Sequence, residues 1–300
     1  MTIRADHVPV QPPAPDRVPE APIDADILRI PVGPGALHVD RYGHGGTPVV
    51  LLHGFGTSSF LWRNVGPALA LARHTAFAID MLGYGESDRP YEAEFDIGAQ
   101  AEYVDRALTA LRVARGIIVG IDVGGGVALR LAAARPERVE RLVLVNTVAF
   151  DAFPGKDIRG LQRNTARFAL RVSRGVLGAA PLLTPILEQG VTSVDRMPPR
   201  LQARYLAPYV GPEGVSHLLT LARSVNADDL EDLDLRQIVA PTLVVWGEAD
   251  RFLDAKLPER LVNAIPDARL VRLPNVGRLV PEEAPEELSR MILDFMAGRG

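Results

Sequence analysis

Asp122 stands between a buried run and a helix, inside a string of glycines. Residues Gly116 to Ala134 read GIIVGIDVGGGVALRLAAA. Ile117-Ile118-Val119 has the composition of a fully buried parallel strand, and Val127, Ala128, Leu131 and Ala132 recur at helical spacing. Between them lies Gly120-Ile121-Asp122-Val123-Gly124, a sharp strand-to-helix turn. Such a turn lifts one side chain above the sheet edge, and glycines flank it because the backbone there is crowded and strained. Here the lifted group is a carboxylate. Two other readings fit a Gly-rich turn of this kind: a phosphate held at the helix N-terminus, or an Asp that only caps the helix. The rest of the chain decides among them.

The elements around this turn alternate. Leu28–Val32 and Ala36–Asp40 flank Gly33-Pro34-Gly35 and read as an antiparallel hairpin at a sheet edge. Val49–Leu52 is a short buried strand followed at once by His53-Gly54-Phe55-Gly56, and Thr57–Ala70 reads as a helix with Ser/Thr caps. A strand over Thr75–Ile79 ends in DMLGYGESDRP, Asp80 to Pro90, and Gln100–Leu111 is helical. After the turn at Asp122, Arg141–Val145 is another buried strand. From Thr147 to about Leu235 strands vanish and amphipathic helical stretches take over, clearest at Phe168–Leu177, Pro198–Tyr205 and Val215–Ala222. Thr242–Trp246 resumes the sheet and ends in Gly247-Glu248-Ala249-Asp250. A helix over Leu257–Ala264, a strand over Arg269–Leu273 and a closing helix over Pro285–Met296 follow. Strands alternating with helices make a mostly parallel sheet covered on both faces. Ligands in such sheets bind beyond the carboxyl ends of the strands, where the His53 loop, Asp122 and Asp250 all fall.

Composition narrows the classes. The 300 residues suffice for one large α/β domain, and 47% are hydrophobic, ample for a core. Thirty-three basic against 37 acidic residues give a net charge of −4, so neither nucleic acid nor a membrane surface is the expected partner. With no cysteine there is no disulfide framework, no thiol nucleophile and no Cys-based metal site. Residues 1–26 are Pro-rich, carry both signs of charge and lack the apolar stretch of a signal peptide, and they read as a disordered leader. The expected organisation is that leader, a core from 27–146 and 236–300, and a helical cap over 147–235. The expected setting is the cytoplasm, for a monomer or homodimer acting on a small molecule, with no cofactor and no metal.

Taken together, HGFGTSSFLWRNV, DMLGYGESDRP, GIDVGGG with ALRLAAARPERVERLVLVN, VVWGEAD and VPEEAPEEL resemble the α/β-hydrolase superfamily over about Leu37 to Ala297. The resemblance is to its Asp-nucleophile branch, the haloalkane and fluoroacetate dehalogenases and epoxide hydrolases. It implies an α/β-hydrolase fold with an inserted helical cap. It also implies Asp122 as the nucleophile that forms an ester with the substrate, and Asp250 as the acid that orients the catalytic base. The backbone N–H groups of Phe55 and Val123 would form the oxyanion hole.

The departures matter as much. The register set by PEEAPEEL puts Arg278 where the resemblance requires the catalytic His. A base needs a pKa near the working pH, and a guanidinium stays protonated above pH 12. Arg278 can pair with Asp122, Asp250 or both and keep Asp122 anionic, but it leaves ester hydrolysis without its usual base. The positions that hold a halide in dehalogenases are Phe55 and Val123, and the only tryptophans, Trp62 and Trp246, lie outside the cap. That disfavours dehalogenation. Epoxide hydrolases protonate the epoxide oxygen with cap tyrosines, a role for which Tyr205 and Tyr209 in RYLAPYVGPEG are candidates; packing at a domain seam is the competing role. His53 and Trp62 are further candidates on the substrate side, although bracing the loop suits both better. The expected activity is an Asp122-based hydrolase of an epoxide or related C–O or C–halogen electrophile, with hydrolysis impaired or altered by Arg278. Two alternatives stay open: a non-hydrolytic cyclase, isomerase or lyase using Asp122 and Arg278, and a ligand-binding homologue without activity.

Overall fold

A computed structural model describes residues 24–152, 154–162, 178–226 and 228–299. Eight strands form one sheet: β1 (Asp26–Pro31), β2 (Ala36–Tyr42), β3 (Pro48–Leu52), β4 (Thr75–Ile79), β5 (Gly116–Asp122), β6 (Val139–Thr147), β7 (Thr242–Gly247) and β8 (Ala268–Leu273). Their spatial order is β1-β2-β4-β3-β5-β6-β7-β8. The β1–β2 and β2–β4 pairings are antiparallel, and every other pairing is parallel. The hairpin read from the sequence is therefore the antiparallel edge. The expected mostly parallel α/β sheet is present.

β5 lies inside the sheet between β3 and β6, and all seven of its residues are buried. Each buried Ile or Val there stabilises the fold by about 1.5–3 kcal/mol. The carboxyl end of β5 is thus among the most firmly held points of the chain. Helices α1 (Val65–Leu71), α2 (Ile97–Ala110) and α3 (Val123–Ala134) connect the first strands. The helix expected over 57–70 is instead two pieces, a 3₁₀ turn at Ser59–Trp62 and then α1. Pro67 lies in the first turn of α1, where its missing N–H costs no intrahelical bond. The Ser59 N–H, at the start of the 3₁₀ turn, donates to Asp80 Oδ1 at 2.5 Å.

Between β6 and β7 the chain forms a helical insertion: α4 (Lys156–Gln162), α5 (Ala180–Gln189), α6 (Pro199–Leu206), α7 (Gly211–Ser224) and the short α8 (Asp228–Glu231). α6 and α7 meet the expectations for 198–205 and 215–222, whereas the helix expected over Phe168–Leu177 lies outside the described residues. So does most of the expected leader, and Asp26 already belongs to β1. After β7 come α9 (Leu257–Ala264), α10 (Val280–Glu283) and α11 (Pro285–Met296). Among the described residues no helix is long and apolar enough to cross a membrane.

The insertion packs over the carboxyl ends of the strands. His217 of α7 bonds the Gly83 carbonyl through Nε2 at 2.6 Å, and the Leu279 N–H donates to the Gly190 carbonyl at 2.9 Å. The Tyr205 hydroxyl donates to Glu282, whose carboxylate also takes both terminal nitrogens of Arg63, at 2.6 and 2.7 Å. This buried fork joins the loop after β3, the loop after β8 and the insertion.

Candidate active site

Asp122 ends β5 and precedes α3 with φ 53° and ψ −121°. A non-glycine residue in this region carries roughly 1–3 kcal/mol of backbone strain, which persists only where surrounding structure imposes it. Here the flanking glycines impose it. A Cβ on Gly120 would collide with the Gly124 carbonyl, and one on Gly124 with the His53 carbonyl. From the far side, the Val148 N–H and Thr147 Oγ1 donate to the Asp122 carbonyl at 3.3 and 3.4 Å.

The carboxylate so raised is 2% exposed, and its two oxygens differ. Oδ2 accepts the Phe55 N–H at 2.9 Å, and a Cβ on Gly54 would lie 2.8 Å from the same oxygen. Val123, the first residue of α3, carries one of the N–H groups that a helix start leaves without an intrahelical acceptor. Oδ1 has no hydrogen-bond partner among the described residues and lies 3.7 Å from Nη1 of Arg278. Burial raises the Asp122 pKa to about 6. Arg278 and the Phe55 N–H oppose that rise, while Asp157 and Asp250 add to it. The group is still an anion at neutral pH.

Arg278 is held from several directions. The Gly277 N–H donates to Glu283 Oε2 at 2.5 Å, and Glu283 Oε1 accepts the N–H of Thr192, from the insertion, at 2.9 Å. The guanidinium lies over the Phe252 ring, 4.5 Å from its centroid, and Nη1 donates to Asp157 Oδ2 at 2.8 Å. Burial would lower its pKa, but the charges of Asp122, Asp157 and Asp250 outweigh that and push it further up. It remains a cation and accepts no proton.

Asp250 enters this cluster through its charge alone. Its Oδ2 accepts Asn146 Nδ2 at 2.8 Å, and its Oδ1 accepts the N–H groups of Phe252 and Leu253 at 2.8 and 3.1 Å. The guanidinium bonds Asp157 of α4 instead. Asp157, like Asp122, keeps one oxygen, Oδ1, buried and without a partner among the described residues. The Arg278 Nε is in the same state. No group of three or more His, Cys, Asp or Glu among the described residues is arranged to hold a metal ion.

The remaining candidates divide. Both nitrogens of His53 are engaged: Nδ1 with the Gly54 carbonyl at 2.8 Å, and Nε2 with the Met81 N–H at 3.1 Å. Burial lowers its pKa to about 4, so it is a neutral tie between two loops, with no lone pair left for a substrate. Trp62 is fully buried, and its Nε1 has no partner among the described residues. Tyr205 spends its hydroxyl on Glu282 and packs edge-on against Phe60. Tyr209 does not: its hydroxyl is buried without a partner among the described residues.

A second such hydroxyl belongs to Tyr84, which packs edge-on against His53 and Phe55 at centroid distances of 5.1 and 6.3 Å. Burial, Tyr209 and Asp122 all raise the Tyr84 pKa, so the two phenols and the carboxylate feel one another. Asp80 fixes the Tyr84 loop by accepting the N–H groups of Ser59 and Glu86. Sequence reasoning passed over Tyr84, although DMLGYGES marked its loop. It also passed over Asn146 and the separate tasks of Glu282 and Glu283 in the PEE segment. Asp157, in GKDIRG, carries no signal that sequence alone could raise above an ordinary helix-start carboxylate.

Residues 47–285 match a family model described as alpha/beta hydrolase fold. The chain is 32% identical over 259 residues to a Pseudomonas putida protein named as the dihydrolipoyllysine-residue acetyltransferase component of an acetoin cleaving system; the match takes in 85% of this chain but only 64% of that one. It is 31% identical over 292 residues to a 2-hydroxy-6-oxononadienedioate/2-hydroxy-6-oxononatrienedioate hydrolase of Paraburkholderia xenovorans (strain LB400), covering 90% of this chain and 94% of that one. Among solved structures, epoxide hydrolase CorEH without ligand superposes with a TM-score of 0.80 at 23% identity, covering 92% of this chain and 99% of that one, a likeness of fold.

Proposed function

Because this chain belongs to the α/β-hydrolase fold family, we propose that it acts through Asp122 as a nucleophile on an epoxide or a related C–O or C–halogen electrophile. One observation carries this reading: the Asp122 carboxylate is split, with Oδ2 on the Phe55 N–H and Oδ1 buried and without a partner among the described residues. A desolvated anion with one oxygen tied and the other free is poised to form a bond through the free one. In an epoxide, Oδ1 attacks a ring carbon and the C–O bond breaks. The departing oxygen then takes a proton from a phenol, leaving a hydroxyalkyl ester on Asp122.

The hydroxyls of Tyr209 and Tyr84 suit that donation. Burial raises both pKa values, so both phenols are protonated at neutral pH. The halide reading is weaker, because Phe55 and Val123 offer no side-chain N–H to a departing anion. Arg278 pairs with the charges of the cluster but takes no proton from water, so the ester outlives one that faces an imidazole.

Intact-protein mass spectrometry tests the reading with styrene oxide, 1,2-epoxyhexane, cyclohexene oxide and epichlorohydrin. The expected result is a mass gain equal to the epoxide, mapped to the Asp122 peptide and absent from Asp122→Ala. No gain and no diol from any of the four would overturn it.

A further inference from the structure

Esterification leaves a product bound to Asp122, and two groups that could have activated water are disqualified. Arg278 is a permanent cation, and His53 has both nitrogens engaged. A third group faces the same guanidinium. Nη1 of Arg278 lies 2.8 Å from Asp157 Oδ2 and 3.7 Å from Asp122 Oδ1, so one nitrogen spans the two carboxylates. The Asp157 side chain is fully buried, and its Oδ1 is without a hydrogen-bond partner among the described residues. Orphaned oxygens of this kind are rare in folded proteins, and where they occur at a site they are places for a water or a reacting group.

We propose that Asp157, carried on α4, is the general base that releases the ester from Asp122. This rests on the reading of Asp122 as the alkylated residue. Alkylation makes Asp122 neutral, which leaves Arg278 paired with Asp157 alone among the carboxylates it touches. Asp157 Oδ1 accepts a proton from water while the water oxygen bonds to Cγ of Asp122. The carbonyl electron pair moves onto Oδ2, where the Phe55 N–H already donates. The intermediate then collapses: the bond from Cγ to the ester oxygen breaks, and the alkoxide takes the proton back from Asp157. Asp122, now a carboxylic acid holding one oxygen from water, gives its remaining proton to the phenolate left by ring opening and is again a carboxylate, and an alcohol leaves. Carboxylates serve as bases to water in inverting glycosidases, so the chemistry needs no other co-reactant.

The test separates two rates, gain and loss of mass, for the panel epoxide that alkylates the protein fastest. Asp157→Asn keeps an acceptor for Arg278 but takes no proton. It should still alkylate, and lose the adduct about 100-fold more slowly. Asp157→Glu, which restores a carboxylate, should recover part of that loss. In water enriched in ¹⁸O, one wild-type turnover should place the label in the Asp122 peptide. If Asp157→Asn sheds its adduct as fast as wild type, Asp157 only positions Arg278 and the proposal fails. If the wild type gains mass and never sheds it, the proposal fails while the role of Asp122 stands. If the wild type neither gains mass nor makes diol, the reading of Asp122 falls and takes this one with it.

Discussion

The two sides of the buried charge cluster are built by different means. On the Asp122 side, the backbone does the positioning. A strand inside the sheet, two glycines without room for Cβ atoms and one amide from the loop after β3 aim the carboxylate. On the Arg278 side, side chains do it. The loop after β8 is pinned by Glu283, and its guanidinium is claimed by Asp157, 121 residues earlier in the chain. The first arrangement leaves no room for a Cβ at the turn itself. The second can be rewritten by single residues, because each of its partners is a separate side chain. The result is a carboxylate fixed by backbone beside a residue that cannot take a proton.

The sharpest way to break this contrast is Asp122→Ala. It should abolish mass gain with epoxides, a loss of about 10⁴-fold or more in rate, because the proposed bond forms through this carboxylate. Next comes Glu282→Gln, which leaves Arg63 in a buried fork without its counter-charge. Losing one partner of a buried pair costs about 3–5 kcal/mol, read as a lower urea midpoint. A smaller loss would mean that the side-chain-built half is less dependent on its ion pairs than the geometry implies. Arg278→His should shorten the life of the ester by about 100-fold, since an imidazole beside Asp250 can take a proton near neutral pH. An unchanged lifetime would show that this loop does not face the bound ester.

The mildest probe is pH. In the proposed reaction Asp122 acts as an anion, and burial raises its pKa to about 6. Alkylation should therefore be level above pH 7 and fall about tenfold per unit well below pH 6, a slope set by the fraction ionised. Stability runs the other way. A carboxyl whose pKa is raised by folding stabilises the fold most when protonated, below its unfolded value, and that contribution is lost as pH rises through about 6. Asp122→Asn should accordingly raise the melting temperature at pH 8 and change it little at pH 4.

The turn at Asp122 was legible in the sequence because strand, turn and helix are contiguous and each obeys a local rule. Asp250 was legible as a residue at a strand end, but not its partners: Asn146 and two amides occupy it, and of the pairings open to Arg278 the structure shows the one with Asp122. Tyr205 and Tyr209, four residues apart and alike in sequence, separate in the structure. One is consumed at a seam and the other keeps its hydroxyl free among the described residues. The long helix expected after His53 is in two pieces, with the break ahead of Pro67, whose ring would clash with the carbonyl of residue 63 in a continuous helix.

By itself the sequence determined the sheet, the sharp bend at Asp122 and an arginine at position 278, where no imidazole stands. Each follows from residue type and short-range spacing. Only the tertiary structure decided which carboxylate takes the guanidinium, which phenol stays free and which oxygen of Asp122 is left without a hydrogen bond. Those outcomes depend on distances between side chains far apart in the chain, and in a desolvated interior a separation of one or two ångströms decides which charges pair.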